Sequence, residues 1–201
     1  MKNRSLEEIK DLLIVVDMVN GFVREGLMAD KDIERIIPGH LELFKEFMGE
    51  DKKIAFIKDT HKKGCNEFLR YPEHCLEGTN ESELVSEFKP YEKDALVYRK
   101  NSTSTIYAPG FMDDINKMKR LREIIITGCC TDICVMNLAI PLQNYFDQID
   151  RKVNIVVPTD LVETYNSDTH NRDEYNEMAF KLMQNSGIEL VKRYGGNRYG
   201  K

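Results

Sequence analysis

Short apolar runs punctuate this chain, and polar stretches with helical spacing separate them. The runs cover residues 12–16, 54–57, 95–98, 124–127, 153–157 and 188–191. Continuous apolar segments of this length, closed off by polar or glycine residues, are the pattern of strands buried on both faces. Between them, residues 31–48, 114–121, 132–146 and 173–184 place apolar side chains at helical period. Strands alternating with helices predict a single α/β domain of three layers: a six-stranded, mainly parallel sheet with helices on both faces. That domain spans residues 1–201, with a core over about 11–193 and a flexible tail at 194–201. Residues 65–90 form the longest stretch without a regular pattern, and long ordered loops often carry function.

Composition narrows the class. The 201 residues are 41% hydrophobic and 31% charged, ordinary proportions for a globular chain of sizeable core. A formal net charge of -5 argues against nonspecific nucleic-acid binding. The basic residues Lys192 and Arg193 read as part of a solvated, glycine-broken end. No run reaches the roughly 20 apolar residues of a membrane span, and the charged N-terminus lacks the apolar centre of a signal peptide. Five cysteines are an odd count with no Cys-x-x-Cys pair, which fits a reduced cytoplasmic protein with free thiols.

In open α/β sheets, ligands bind beyond the carboxyl ends of the strands. Asp17 ends the first run, Asp59 follows the second, Arg99 and Lys100 the third, and residues 128–134 the fourth. One such residue is an ordinary cap; polar or reactive groups after four strands in a row point to a site. Thr131 reads as an N-cap, which sets Cys134 at the third helical position, where free N–H groups and the helix dipole favour a thiolate. The plain alternative is a small cysteine packing helix against sheet. No histidine follows the first, third or fourth run, so Asp17 is the available acid/base, and Lys100 can lower the thiol pKa and hold the carboxylate. Taken singly, Asp17 is as readily a loop cap and Lys100 a solvated strand end.

A second group lies in the unpatterned stretch. Asp59 and His61 are two apart, so on an extended chain they share a side. His74 follows in Pro72-Glu73-His74-Cys75. One Asp and two His suit a divalent metal with open water positions, zinc first, with iron or manganese as the alternatives. A polar loop that happens to carry histidines is the competing reading.

The segments Val15-Val16-Asp17-Met18-Val19-Asn20-Gly21-Phe22, Val97-Tyr98-Arg99-Lys100 and Thr127-Gly128-Cys129-Cys130-Thr131-Asp132-Ile133-Cys134-Val135 resemble the isochorismatase-like cysteine hydrolases, in order, over roughly residues 12–157. The resemblance implies a catalytic triad of Asp17, Lys100 and Cys134. It further implies an oxyanion hole from the N–H groups of Cys130 and Cys134, and a cis peptide between Cys129 and Cys130. Asp59, His61 and His74 match the metal ligands of the nicotinamidases within that family, with Glu67 as a fourth ligand, direct or through water. The implied reaction is hydrolysis of nicotinamide to nicotinate and ammonia, in a protein that forms homo-oligomers.

Some positions depart from the family pattern. Val19 stands where Gln is common, Leu138 where Thr is usual, and residues 101–107 match only loosely. With no Trp in the chain, the aromatic wall of a substrate pocket falls to Phe22 first, then Phe68 and Tyr107. His170, beside an acidic stretch, reads as a surface residue or the start of the last helix. Two rival readings stand: an amidase for a carbamoyl or pyrazinamide-like compound, and a non-catalytic metal-binding protein on the same fold.

Overall fold

The computed structural model describes residues 5–195. Seven strands form one sheet: β1 (Asp11–Val16), β2 (Lys52–Asp59), β3 (Leu96–Lys100), β4 (Glu123–Cys129), β5 (Asn154–Pro158), β6 (Val162–Glu163) and β7 (Glu189–Val191). The order is β3-β2-β1-β4-β5-β7, every pairing is parallel, and β6 pairs with the far end of β4. The six expected strands are therefore present, and β6 is an addition.

Among the described residues six α-helices flank the sheet: α1 (Asn20–Val23), α2 (Ile37–Glu46), α3 (Lys89–Glu92), α4 (Phe111–Lys117), α5 (Met136–Gln148) and α6 (Arg172–Asn185). Side chains alternate across β1. Leu12, Ile14 and Val16 enter a core shared with Phe111, Leu138, Leu142 and Ala179, under α4, α5 and α6. Leu13 and Val15 enter the opposite core with Val23, Phe44, Phe56 and Phe88. Each fully buried aliphatic side chain in such a strand contributes about 1.5–3 kcal/mol relative to exposure. The period-2 pattern of the strand thus fixes which helices cover which face.

Several boundaries differ from the sequence reading. The expected helix over 31–48 splits into a 3-10 turn at Lys31–Ile36 and then α2. Asp30 caps the turn by accepting from Asp32 N at 2.9 Å, and Pro38, lacking an N–H, starts α2 afresh. Thr131 is no N-cap. It opens a π-helical turn, Thr131–Val135, that precedes α5, with Cys130 at the cap position, so Cys134 is the fourth helical residue. Of the expected tail, only 194 and 195 are among the described residues. There Tyr194 is half-buried beside Phe47 and donates to Glu123 at 2.8 Å. Among the described residues no helix is long and apolar enough to cross a membrane.

Candidate active site

The chain runs outward from β1 through β2 to β3, and outward from β4 the other way through β5 to β7. The crevice at this reversal opens between the carboxyl ends of β1 and β4. Gly128 lets the two strands close up: a Cβ there would lie 2.0 Å from the Val16 carbonyl oxygen. Its φ of +107° is also one that only glycine adopts freely. Immediately after the residue that follows it, the Cys129–Cys130 peptide is cis.

Asp17 leaves β1 at φ 51°, an uncommon left-handed conformation for a residue with a side chain. Lys100, the last residue of β3, lies 2.9 Å from Asp17 Oδ2 through its Nζ. The same ammonium donates to Asp59 Oδ1 at 2.6 Å and lies 3.7 Å from Cys134 Sγ. None of the four side chains is more than 6% exposed. Asp17, Lys100 and Cys134, separated by up to 117 positions of sequence, therefore meet around one buried cation.

Burial governs their acidity. It pushes the Asp17 carboxyl up to about 6, against the pull of Lys100 and with added push from the charge of Asp59. It also pushes the Cys134 thiol well above its ordinary value, although the Lys100 ammonium works in the opposite direction. Desolvation thus works against the thiolate that the helix start was expected to favour, so the thiol needs a base to take its proton. Burial alone would discharge Lys100, but Asp17 and Asp59 raise its pKa well above the usual value.

The acidic oxygen of Asp59 not bonded to Lys100 faces the histidines. His61 Nε2 lies 2.7 Å and His74 Nε2 3.1 Å from Asp59 Oδ2, and Glu67 Oε1 is 3.8 Å from His61 Nε2. All four side chains are buried, and one ligand atom from each falls within 4.8 Å of the others. The far nitrogens are anchored: His61 Nδ1 to Asn101 Oδ1 at 3.1 Å, His74 Nδ1 to the Pro72 carbonyl at 2.7 Å. Such outer bonds fix the tautomer and aim of metal-binding imidazoles. Fifteen residues of loop return to the same point because it is zipped at its base: His61 N donates to Cys75 O and Glu77 N to His61 O, both at 2.9 Å. Burial disfavours a charged His61, yet its bond to Asp59 and the neighbouring acids raise it to about 9. Negative charge that holds a proton there suits a divalent cation equally, and two imidazoles with two carboxylates are a donor set for zinc.

A narrow cleft leads to these groups. Phe22, Met28, Tyr71, Ile133 and Tyr165 wall it, and Cys134, Cys130, Asp59, Glu67 and His74 reach its floor. Phe22 packs 5.4 Å from the His74 ring. Phe68 lies instead against His61 and His74, at 5.2 and 5.6 Å, as backing for the imidazoles. Tyr107 is corrected: it sits on a 3-10 turn after β3, is 80% exposed and lines no part of the cleft. His170 is likewise not a surface residue but buried. The sequence reading missed Met28, Tyr71, Tyr165 and Asn101. Only Tyr71, adjoining the Pro72–Cys75 segment, carried a local signal.

The isochorismatase domain family model matches residues 11–192. Among curated proteins, nicotinamidase 1 of Arabidopsis thaliana is 32% identical over 139 residues, 62% of this chain; the match spans 57% of that relative's length. The fold is that of nicotinamidase PncA from Bacillus subtilis, with a TM-score of 0.75 at 24% identity, covering 91% of this chain and 99% of that one. N-carbamoylsarcosine amidase from Thermoplasma acidophilum gives 0.72 at 22%, covering 96% and 100%. Pyrazinamidase of Pyrococcus horikoshii in complex with zinc gives 0.71 at 22%, covering 90% and 98%.

Proposed function

Because this chain belongs to the isochorismatase family of hydrolases, we propose that it is a nicotinamidase that converts nicotinamide and water to nicotinate and ammonia. One observation carries the reading: a single buried ammonium, Lys100, joins a cysteine, an elevated carboxyl and a metal-type cluster at the floor of one aromatic-walled cleft. The curated nicotinamidase relative supports the choice of substrate.

Asp17 accepts the Cys134 proton, and the sulfur attacks the carboxamide carbon. The N–H groups of Cys130 and Cys134 face the developing oxyanion, since the first turn of a helix leaves N–H groups without partners. Asp17 returns the proton to the departing ammonia, leaving a thioester on Cys134. It then takes a proton from water, whose hydroxyl releases nicotinate, while Lys100 keeps the pair of carboxylates compensated. Asp59, His61, Glu67 and His74 would hold a divalent ion, zinc first, that supplies a Lewis-acidic anchor for a ring nitrogen. Phe22 and Tyr165 supply aromatic surface to the cleft that would take a flat ring. The five cysteines are free thiols, which supports a reducing, cytoplasmic setting as part of the same proposal.

The departures at Val19 and Leu138 favour a second reading, in which the same residues hydrolyse a different amide. Incubation of zinc-loaded protein with nicotinamide, following nicotinate and ammonia with Cys134→Ala as control, separates the two. Release by the wild type alone supports nicotinamidase activity. No release from protein carrying one zinc per chain rejects it in favour of another amide.

A further inference from the structure

Behind Tyr165 of the cleft wall stand two more rings that the proposed chemistry does not use. The buried His170 ring is sandwiched between Tyr165, 3.9 Å away at 13°, and Tyr175 of α6, 3.7 Å away at 28°. Its Nε2 lies 2.9 Å from Asp132 Oδ2, and its Nδ1 3.0 Å from the Tyr165 carbonyl. Asp132 Oδ1 accepts from Thr164 Oγ1 at 2.6 Å. Asp132 sits in the π-helical turn two residues before Cys134, and Tyr165 is part of the cleft wall.

We propose that His170 is a positioning residue for this site, tying the turn that presents Cys134 to the wall that confines the substrate. One ring grips both partners: its edge holds Asp132, and its face holds Tyr165. The loop that carries it is itself tied down. Ser167 and His170 exchange backbone bonds at 3.0 and 3.2 Å, and Asn166 N donates to Asp30 Oδ2 at 2.9 Å. Arg172 closes the arrangement by donating to the Thr164 carbonyl at 2.9 Å and to Asp32 at 2.8 Å. Loosening the grip shifts Cys134 relative to Lys100 and Asp17, and displacements of about 1 Å cost roughly 100-fold in reactivity.

A second variant separates position from charge. The ring's Nδ1 meets the Tyr165 carbonyl, which only accepts, so Nδ1 carries an N–H whichever group faces Nε2. In Asp132→Asn, the amide oxygen still accepts from Thr164, and the amide N–H₂ donates to a bare Nε2. Every bond survives with one N–H on the ring and no carboxylate.

The test is the rate at which iodoacetamide alkylates Cys134, followed on the Cys134 peptide by mass spectrometry, which needs no substrate. The proposal builds on the nicotinamidase reading only for the meaning of the wall, so kcat and KM for nicotinamide are measured alongside. Expected results are a 10- to 100-fold slower alkylation in His170→Ala and Asp132→Ala, with rescue to within about threefold in Asp132→Asn. KM should rise in His170→Ala as Tyr165 loses its backing. Should His170→Ala melt below assay temperature, Tyr175→Leu at the outer face of the stack replaces it, with slowing in the same direction. Wild-type alkylation in folded His170→Ala overturns the proposal, and so does Asp132→Asn as slow as Asp132→Ala. Absent turnover in the wild type, with alkylation following the expected series, overturns the nicotinamide reading and leaves this one standing.

Discussion

Asp59 Oδ1 and Lys100 Nζ are 2.6 Å apart, and this bond makes one charge network of what the sequence presents as two sites. One carboxylate oxygen serves the Lys100 ammonium, and the other faces both histidines. His61 and His74 hold the Asp59 carboxyl far below its usual range together with Lys100, although burial alone would raise it.

Removing the cation strands two buried carboxylates. Lys100→Ala should cost about 3–5 kcal/mol of stability, read as a lowered midpoint in urea unfolding at pH 7. A variant as stable as the wild type would mean that Asp17 and Asp59 are compensated from elsewhere.

Cys134→Ala removes the proposed nucleophile from a small, tightly packed position. Turnover should fall below detection while metal content and melting temperature stay close to those of the parent, as measured by steady-state assay, elemental analysis and calorimetry. A residual rate within tenfold of the parent would remove Cys134 from the chemistry.

The elevated Asp17 carboxyl sets an acid limb. As base, Asp17 must be ionised, so kcat/KM should fall tenfold per pH unit below about 6 and level off above it. Asp17→Asn should abolish the activity altogether. The stability sign is opposite to that of an acid whose pKa is lowered by folding. The folded form binds the Asp17 proton more tightly than the unfolded chain, so this group's contribution declines as pH rises from about 4 to about 6 and is constant above.

His74→Ala deletes one imidazole and its anchor on Pro72. Zinc per chain should drop by 10-fold or more after dialysis, and KM should rise more than kcat falls. Unchanged metal content would remove His74 from the ligand set.

Phe22 and Tyr107 make a matched pair, one facing the cleft and one exposed. Phe22→Ala should raise KM about tenfold, the loss of a buried aromatic contact worth roughly 1–2 kcal/mol. Tyr107→Ser should leave both kinetic constants within twofold, and a large effect there would return Tyr107 to the substrate's surroundings.

The sheet was legible because strands buried on both faces leave continuous apolar runs, and all six expected runs lie in or overlap strands. Val162–Glu163 was not, because two residues pairing through their backbone leave no pattern. The 3-10 turn and α2 merged in the sequence reading since apolar spacing continues across both and only Pro38 marks the join. Asp17, Lys100, Cys134, Asp59, His61 and His74 stood out through their positions after strands and their spacing, which are local properties, while Glu67 and the roles came from the family resemblance. Cleft walls are not local: Met28 and Tyr165 come from loops tied together through Asp30, Asp32, Asn166 and Arg172. His170 was hidden by its acidic neighbours, and its stacking partners Tyr165 and Tyr175 meet it only through the fold.

The missing side chain at Gly128 has a consequence beyond the backbone. With β1 and β4 touching at Val16, the distance between acid and nucleophile is set where a hydrogen atom stands in place of a methyl group. In a survey of every substitution along the chain, position 128 should appear as intolerant as 17 or 134, although it touches no reactant. Its role is that of a gauge block: it sets the width of the gap and does no chemistry itself.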